Sequence, residues 1–128
     1  MADPLVSAAL AVRENAHAPF SNFKVGAAVE DGSGRIHTGC NVENATYGLS
    51  VCAERIAIFK AVSEGGKGFR RVAVVADTET LTPPCGACRQ ILWEFCGDVE
   101  IVLTNLSGKT ETMRLGDLFP RPFDSSFL

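Results

Sequence analysis

Two short segments carry the residue types from which chemistry can be built. Cys52-Ala53-Glu54-Arg55 opens one helical pattern, and Pro84-Cys85-Gly86-Ala87-Cys88 opens the next. Three thiolates can fill three corners of a zinc tetrahedron and leave the fourth open, which is the ligand count of a catalytic rather than a structural site. Glu54 stands two residues beyond Cys52, so on a helix its carboxyl points to a different side from the thiolate and is free for acid-base work. Helix N-termini beside the cysteines favour ionised sulfur through unpaired N–H groups and the positive end of the helix dipole. Three thiolates around one divalent ion still leave a net negative charge, which a hydrogen-bonding cation behind the ligands must offset. Arg55 is the first candidate for that role, and Arg89, directly after Cys88, is the second. Cys85-x-x-Cys88 alone is equally compatible with a structural zinc or a redox pair. The addition of Cys52-Ala53-Glu54 favours the catalytic reading.

Composition narrows the possible partners. A chain of 128 residues predicts one domain spanning residues 1–128, with room for a core. Hydrophobic residues make up 46% and there are 12 glycines, an apolar excess that points to surface buried between subunits. The net charge of -3 and pI near 5.3 provide no basic stripe for a nucleic-acid backbone and suit a small nucleoside or base better. No apolar run approaches the ~18 residues of a membrane span, and Met1-Ala2-Asp3-Pro4 lacks the charged start of a signal peptide, so a cytoplasmic location is expected. In a reducing compartment, five cysteines read as three ligands plus Cys40 and Cys96 as small buried hydrophobes. His17 and His37 have no partner spacing and read as surface or strand-face residues.

The spacing C-x-E followed by P-C-x-x-C is the zinc deaminase signature in its three-cysteine form. With the flanking runs Pro19-Phe20-Ser21-Asn22-Phe23-Lys24-Val25-Gly26-Ala27-Ala28 and Gly39-Cys40-Asn41-Val42-Glu43-Asn44-Ala45-Thr46-Tyr47-Gly48, the chain closely resembles the small homotetrameric cytidine deaminases, from about residue 13 to residue 123. That resemblance implies one zinc per subunit and hydrolysis of cytidine and 2'-deoxycytidine to the uridine forms, with Glu54 as the proton carrier. It further implies that Asn41 and Glu43 hold the ribose 3'-hydroxyl, that Phe23 packs on the nucleoside and that backbone at Ala53 meets the base. Tyr47 and Phe123 are implied to serve a neighbouring subunit's site in a homotetramer. The chemistry of the pair agrees, because an amide and a carboxylate one residue apart on extended chain face the same side and can both bond a hydroxyl. Pro83 departs from the family pattern, standing where Ser or Thr is usual, and Phe20 replaces a common Tyr. One rival is a deaminase of a modified or antibiotic nucleoside such as blasticidin S. A rival of another class is a noncatalytic zinc-binding structural or RNA-binding module, which the low pI and the presence of Glu54 disfavour.

The elements that must position these residues follow from periodicity and punctuation. A helix is predicted over residues 5–16, with Asp3 as its cap and Pro4 in its first turn. Residues 23–30 and 35–40 form a hairpin about Asp31-Gly32-Ser33-Gly34, and residues 41–50 form a loop. The helix over residues 52–64 is apolar all round and stops at Gly65. The continuous apolar run 72–76 suits a central strand covered on both faces. A helix over residues 86–96 turns Ile91, Leu92 and Phe95 to the core, and strands follow at 99–104 and 110–113. Phe119, Phe123 and Phe127 in the tail need cover, most simply from another subunit. The fold expected is α/β, a three-layer α/β/α sandwich around a mixed five-stranded sheet.

Overall fold

The structure is a computed structural model that describes residues 3–128. Helix α1 (Pro4–Arg13) starts where the cap chemistry requires: Asp3 Oδ1 accepts from the Leu5 amide at 3.0 Å, and Pro4 has no N–H to leave unpaired. It ends three residues short of residue 16, because Glu14, Asn15 and Ala16 turn back onto the last helical carbonyls and lead into a bridge between His17 and Val42. Strands β1 (Val25–Glu30) and β2 (Ile36–Cys40) form the hairpin, and α2 (Ala53–Ser63) leads to β3 (Arg71–Ala76). Then come α3 (Gly86–Cys96), β4 (Glu100–Thr104), β5 (Thr110–Arg114) and the single turn α4 (Leu115–Leu118).

The sheet order is β2-β1-β3-β4-β5. Strand β1 runs antiparallel to both neighbours, β3 and β4 are parallel through the α3 crossover, and β5 returns antiparallel. Alternation along the strands divides the core in two. Val25, Ala27, Val29, Val72, Val74, Ile101 and Leu103 pack against Ala57, Ile58 and Leu92 of α2 and α3. The opposite face turns Ala28, Ala73, Val75 and Val102 onto Leu5 and Ala9 of α1. The three layers expected from the sequence are therefore present, with β3 buried on both sides.

Glycine at 39 sets how close α2 lies to the sheet. A Cβ there would stand 2.4 Å from the Ala57 amide nitrogen and 2.6 Å from the Ala53 carbonyl, both fixed backbone atoms. Gly39→Ala is therefore expected to push α2 off β2 and destabilise the fold by about 1–3 kcal/mol, the usual range for overpacking. A fall in the urea midpoint at constant slope checks this.

Three expectations need correction. Helix α2 is not buried all round: Phe59 and Val62 are exposed, and so is Phe95 of α3, which stands edge-on to Phe59 at 6.3 Å. The two helices cover each other only along their inner sides, and this outer strip has no cover within one chain. His37 is buried rather than a simple strand-face residue, with Nε2 2.9 Å from Asp31 Oδ2 and Nδ1 2.8 Å from Glu64 Oε1. It links the hairpin turn to the end of α2, a pairing that sequence spacing hides. Hydrogen bonding from His37, then from Ser33, holds the Asp31 carboxyl far below the ordinary carboxylate range. Cys40 and Cys96 are half-buried rather than buried, and burial pushes the Cys96 thiol up to about 12.

Candidate active site

Cys52 and Cys85 are the N-cap residues of α2 and α3, and Cys88 lies in the first turn of α3. Both caps have extended backbone, so each sulfur stands at the mouth of a helix among amides without helical partners. Cys85 Sγ accepts from the Cys88 amide at 3.5 Å. The Cys52 and Cys85 sulfurs are 3.8 Å apart, and all three lie within 4.8 Å of one another. A tetrahedral zinc with bonds of about 2.3 Å needs sulfurs about 3.8 Å apart, so the cluster has the right size for that ion. Among the described residues it is the only such group of three potential metal ligands, and its sulfurs are graded from buried Cys88 to exposed Cys85.

The electrostatics around the sulfurs are strongly unequal. The hydrogen bond from Cys88, with help from Arg55, draws the Cys52 thiol down to about 5. Cys88, bonded to that sulfur and buried, moves up instead. Arg55 Nη2 donates to Cys52 Sγ at 3.5 Å, and the thiolate raises the guanidinium's own pKa in return. Arg55 Nε is buried without a hydrogen-bond partner, which leaves a cationic donor close to the sulfur charge. Arg89, the second candidate for that role, is spent elsewhere: Nε donates to the Pro84 carbonyl at 2.8 Å and Nη1 to the Leu118 carbonyl at 2.6 Å. Its path from α3 leads to backbone rather than to sulfur.

Glu54 lies on the first turn of α2 and is 5% exposed. Burial, and then the charge of Cys52, push its carboxyl up to about 7. With Cys52, Cys85, Ala53, Phe23 and Asn41 it lines a cavity of about 170 Å³. Helical spacing does not separate the carboxyl from the thiolate side: Cys52 is the extended cap rather than a helical residue, so both face one space. Ala53 has the first amide of α2, a donor with no partner inside the helix. Val74, Thr82 and Pro83 also line this space. Of these, only Pro83 stood out in the sequence, since a Val in a central strand and a Thr in a connecting loop carry no local signal.

Asn41 and Glu43 point to the same side, as alternation requires, and that side is the segment leading into β1. The Asn41 amide accepts from the Val25 nitrogen at 2.9 Å and donates to the Phe23 carbonyl at 2.7 Å, leaving one N–H and one lone pair for another partner. Glu43 accepts from the Phe20 and Ser21 amides at 2.9 and 3.1 Å and from the Ser21 hydroxyl. These bonds, the Ser21 hydroxyl foremost, lower its pKa. It does not line the cavity of Glu54 but a separate cleft of about 310 Å³ with Tyr47, whose ring meets Phe20 edge-on at 5.9 Å. Ser21, passed over in the sequence, is thus what orients Glu43. A short ladder from His17 through Val42 to Val51 ties this segment to the residue before Cys52. Phe123 lies apart from both spaces, 56% exposed and stacked on Phe127.

Comparison with known proteins agrees with this geometry. Residues 2–104 match the family model described as the cytidine and deoxycytidylate deaminase zinc-binding region. The chain is similar to a protein of Sporosarcina psychrophila named cytidine deaminase, 46% identical over 98% of this chain and 93% of that one. A solved structure of cytidine deaminase from Burkholderia pseudomallei is 49% identical, with a TM-score of 0.90 over 93% of this chain and 96% of that one. A Bacillus cereus protein named blasticidin-S deaminase is more distant, 32% identical over 75% of this chain and 74% of that one.

Proposed function

The chain belongs to the cytidine and deoxycytidylate deaminase family, and from that premise we propose that Cys52, Cys85 and Cys88 hold the zinc ion with which it deaminates cytidine and 2'-deoxycytidine. The products are the uridine forms and ammonia, with one water consumed. The observation that carries this reading is a cluster of three sulfurs, two of which, on Cys52 and Cys85, line one cavity together with the buried carboxyl of Glu54. Zinc held by that donor set supplies Lewis-acid polarisation and a more acidic water at neutral pH. Glu54 takes the proton of the attacking water, hands it to the ring nitrogen next to C4 and then delivers a proton to the departing amine. Its burial matches this task, because a carboxyl that titrates near neutrality can both accept and release a proton. Arg55 offsets the sulfur charge from behind Cys52. In this reading Phe23 packs on the nucleoside, the backbone at Ala53 meets the base, and Asn41 and Glu43 hold the ribose 3'-hydroxyl; the presence of Phe23, Asn41 and Ala53 in the lining of the Glu54 cavity supports it.

The same reading takes residues 1–128 as one deaminase domain, acting in the cytoplasm in pyrimidine salvage as a homotetramer with active sites shared between subunits. Uncovered apolar side chains support the assembly: Phe59, Val62 and Phe95 on the outer strip of the helices, and Tyr47, Phe123 and Phe127 near the loop and tail. Tyr47 and Phe123 are the groups expected to reach a neighbour's site. Among the described residues no helix is long and apolar enough to cross a membrane.

Ultraviolet absorbance with cytidine, deoxycytidine, cytosine and blasticidin S tests the function in one series. Turnover of the two natural nucleosides is expected. Faster turnover of blasticidin S would favour the antibiotic rival, and a zinc-loaded protein inert towards all four would favour the noncatalytic module. Gel filtration in parallel with activity at dilution tests the shared site, since specific activity is expected to fall as subunits separate.

A further inference from the structure

Pro84 is fully buried immediately before the ligand Cys85, so its carbonyl needs a donor from within the protein. Arg89, five residues on, returns across the first turn of α3 and places Nε 2.8 Å from that oxygen. The same guanidinium extends Nη1 to the carbonyl of Leu118, the last residue of α4, at 2.6 Å. Gln90 donates to the Phe123 carbonyl at 2.8 Å, and Trp93 Nε1 reaches Asp124 Oδ2 at 3.3 Å. Three successive donors on the helix that begins at Cys85 thus grip the C-terminal segment, and only the first of them also touches the cysteine loop.

We propose that Arg89 is a positioning residue that couples docking of residues 118–124 to the hold of Cys85 on zinc; the inference rests on the zinc reading above. The planar fork of a guanidinium serves two carbonyls in fixed directions at once, which the single mobile head of a lysine does not. Without it the Pro84 carbonyl is buried and unpaired, and the loop relaxes towards solvent. Cys85, the exposed corner of the site, moves with it. Residues behind a metal's ligands act in this way in general, and their loss weakens the metal on the order of 10-fold to 100-fold.

The test is zinc release from the purified, zinc-loaded protein to a chelating dye, at a temperature well below unfolding. Arg89→Lys is expected to stay folded by circular dichroism, to release zinc on the order of 10-fold faster and to shift the visible bands of the Co2+-substituted protein. Asp124→Ala, which loosens the tail without touching the first turn of α3, is expected to speed release in the same direction. The double variant is expected to release no faster than Arg89→Lys alone. Wild-type release rate and unshifted Co2+ bands in Arg89→Lys would overturn the proposal. Fast release in Arg89→Lys with Asp124→Ala at the wild-type rate would overturn its coupling to the tail. Should Arg89→Lys fail to fold, Asp124→Ala decides alone, an unchanged rate overturning the proposal. A wild-type protein with no zinc to release would instead overturn the zinc reading beneath it.

Discussion

Glu54→Gln is expected to keep its zinc and its fold while losing about 10²- to 10⁴-fold in turnover, the usual range for removing a positioned acid-base group. The substitution is nearly isosteric in a site where Glu54 is only 5% exposed, so packing around α2 is preserved. Stability should not fall, because the carboxylate sits close to the Cys52 sulfur and its repulsion is among the causes that raise the Glu54 pKa. An amide removes that repulsion. What it cannot do is accept a proton from water and pass it on. Cytidine absorbance, zinc content and a thermal melt on one preparation separate these effects. Near-normal turnover with full zinc would remove Glu54 from the reaction, and loss of zinc would make it a structural residue.

Replacing Cys52, Cys85 or Cys88 by Ala has the opposite profile: zinc is lost first, and stability with it. Binding that occurs only in the folded state stabilises by mass action, about 4 kcal/mol when free metal is about 1,000 times its dissociation constant. For a chain of this length that is a fall in melting temperature on the order of 15 °C. Chelation of the wild type should reproduce the shift, and the three variants should then no longer respond to chelator. Cys40→Ala and Cys96→Ala serve as internal controls, since neither belongs to the sulfur cluster. Full zinc occupancy in any one of the three ligand variants would contradict the assigned donor set.

The two predictions draw on different layers of information. The three-cysteine cluster and the nearby Glu54 were legible because they are written in local spacing: C-x-E and P-C-x-x-C each open a helix, and helix starts have strong sequence signals. Helix α3 matches its expected bounds, residues 86–96, for the same reason, with Cys85 as cap and Gly97, at φ 63°, as stop. The core strands were legible from their apolar runs. Pairings between distant segments were not. His37 meets Glu64 across 27 residues, and Arg89 meets Leu118 across 29, with no periodicity to connect them. Proximity in sequence makes Arg89 a second candidate, after Arg55, for a bond to sulfur, whereas its place on α3 directs it to the Pro84 and Leu118 carbonyls. The exposed strip at Phe59 and Phe95 was misjudged for a related reason: an apolar helix face shows that cover is needed, not which molecule supplies it.

The zinc reading is tested most directly by X-ray absorption at the zinc edge on protein purified without added metal, combined with elemental analysis. One zinc per chain with three sulfur neighbours is the expected result. No zinc, or a zinc with four sulfur neighbours and therefore no open position, would contradict the account.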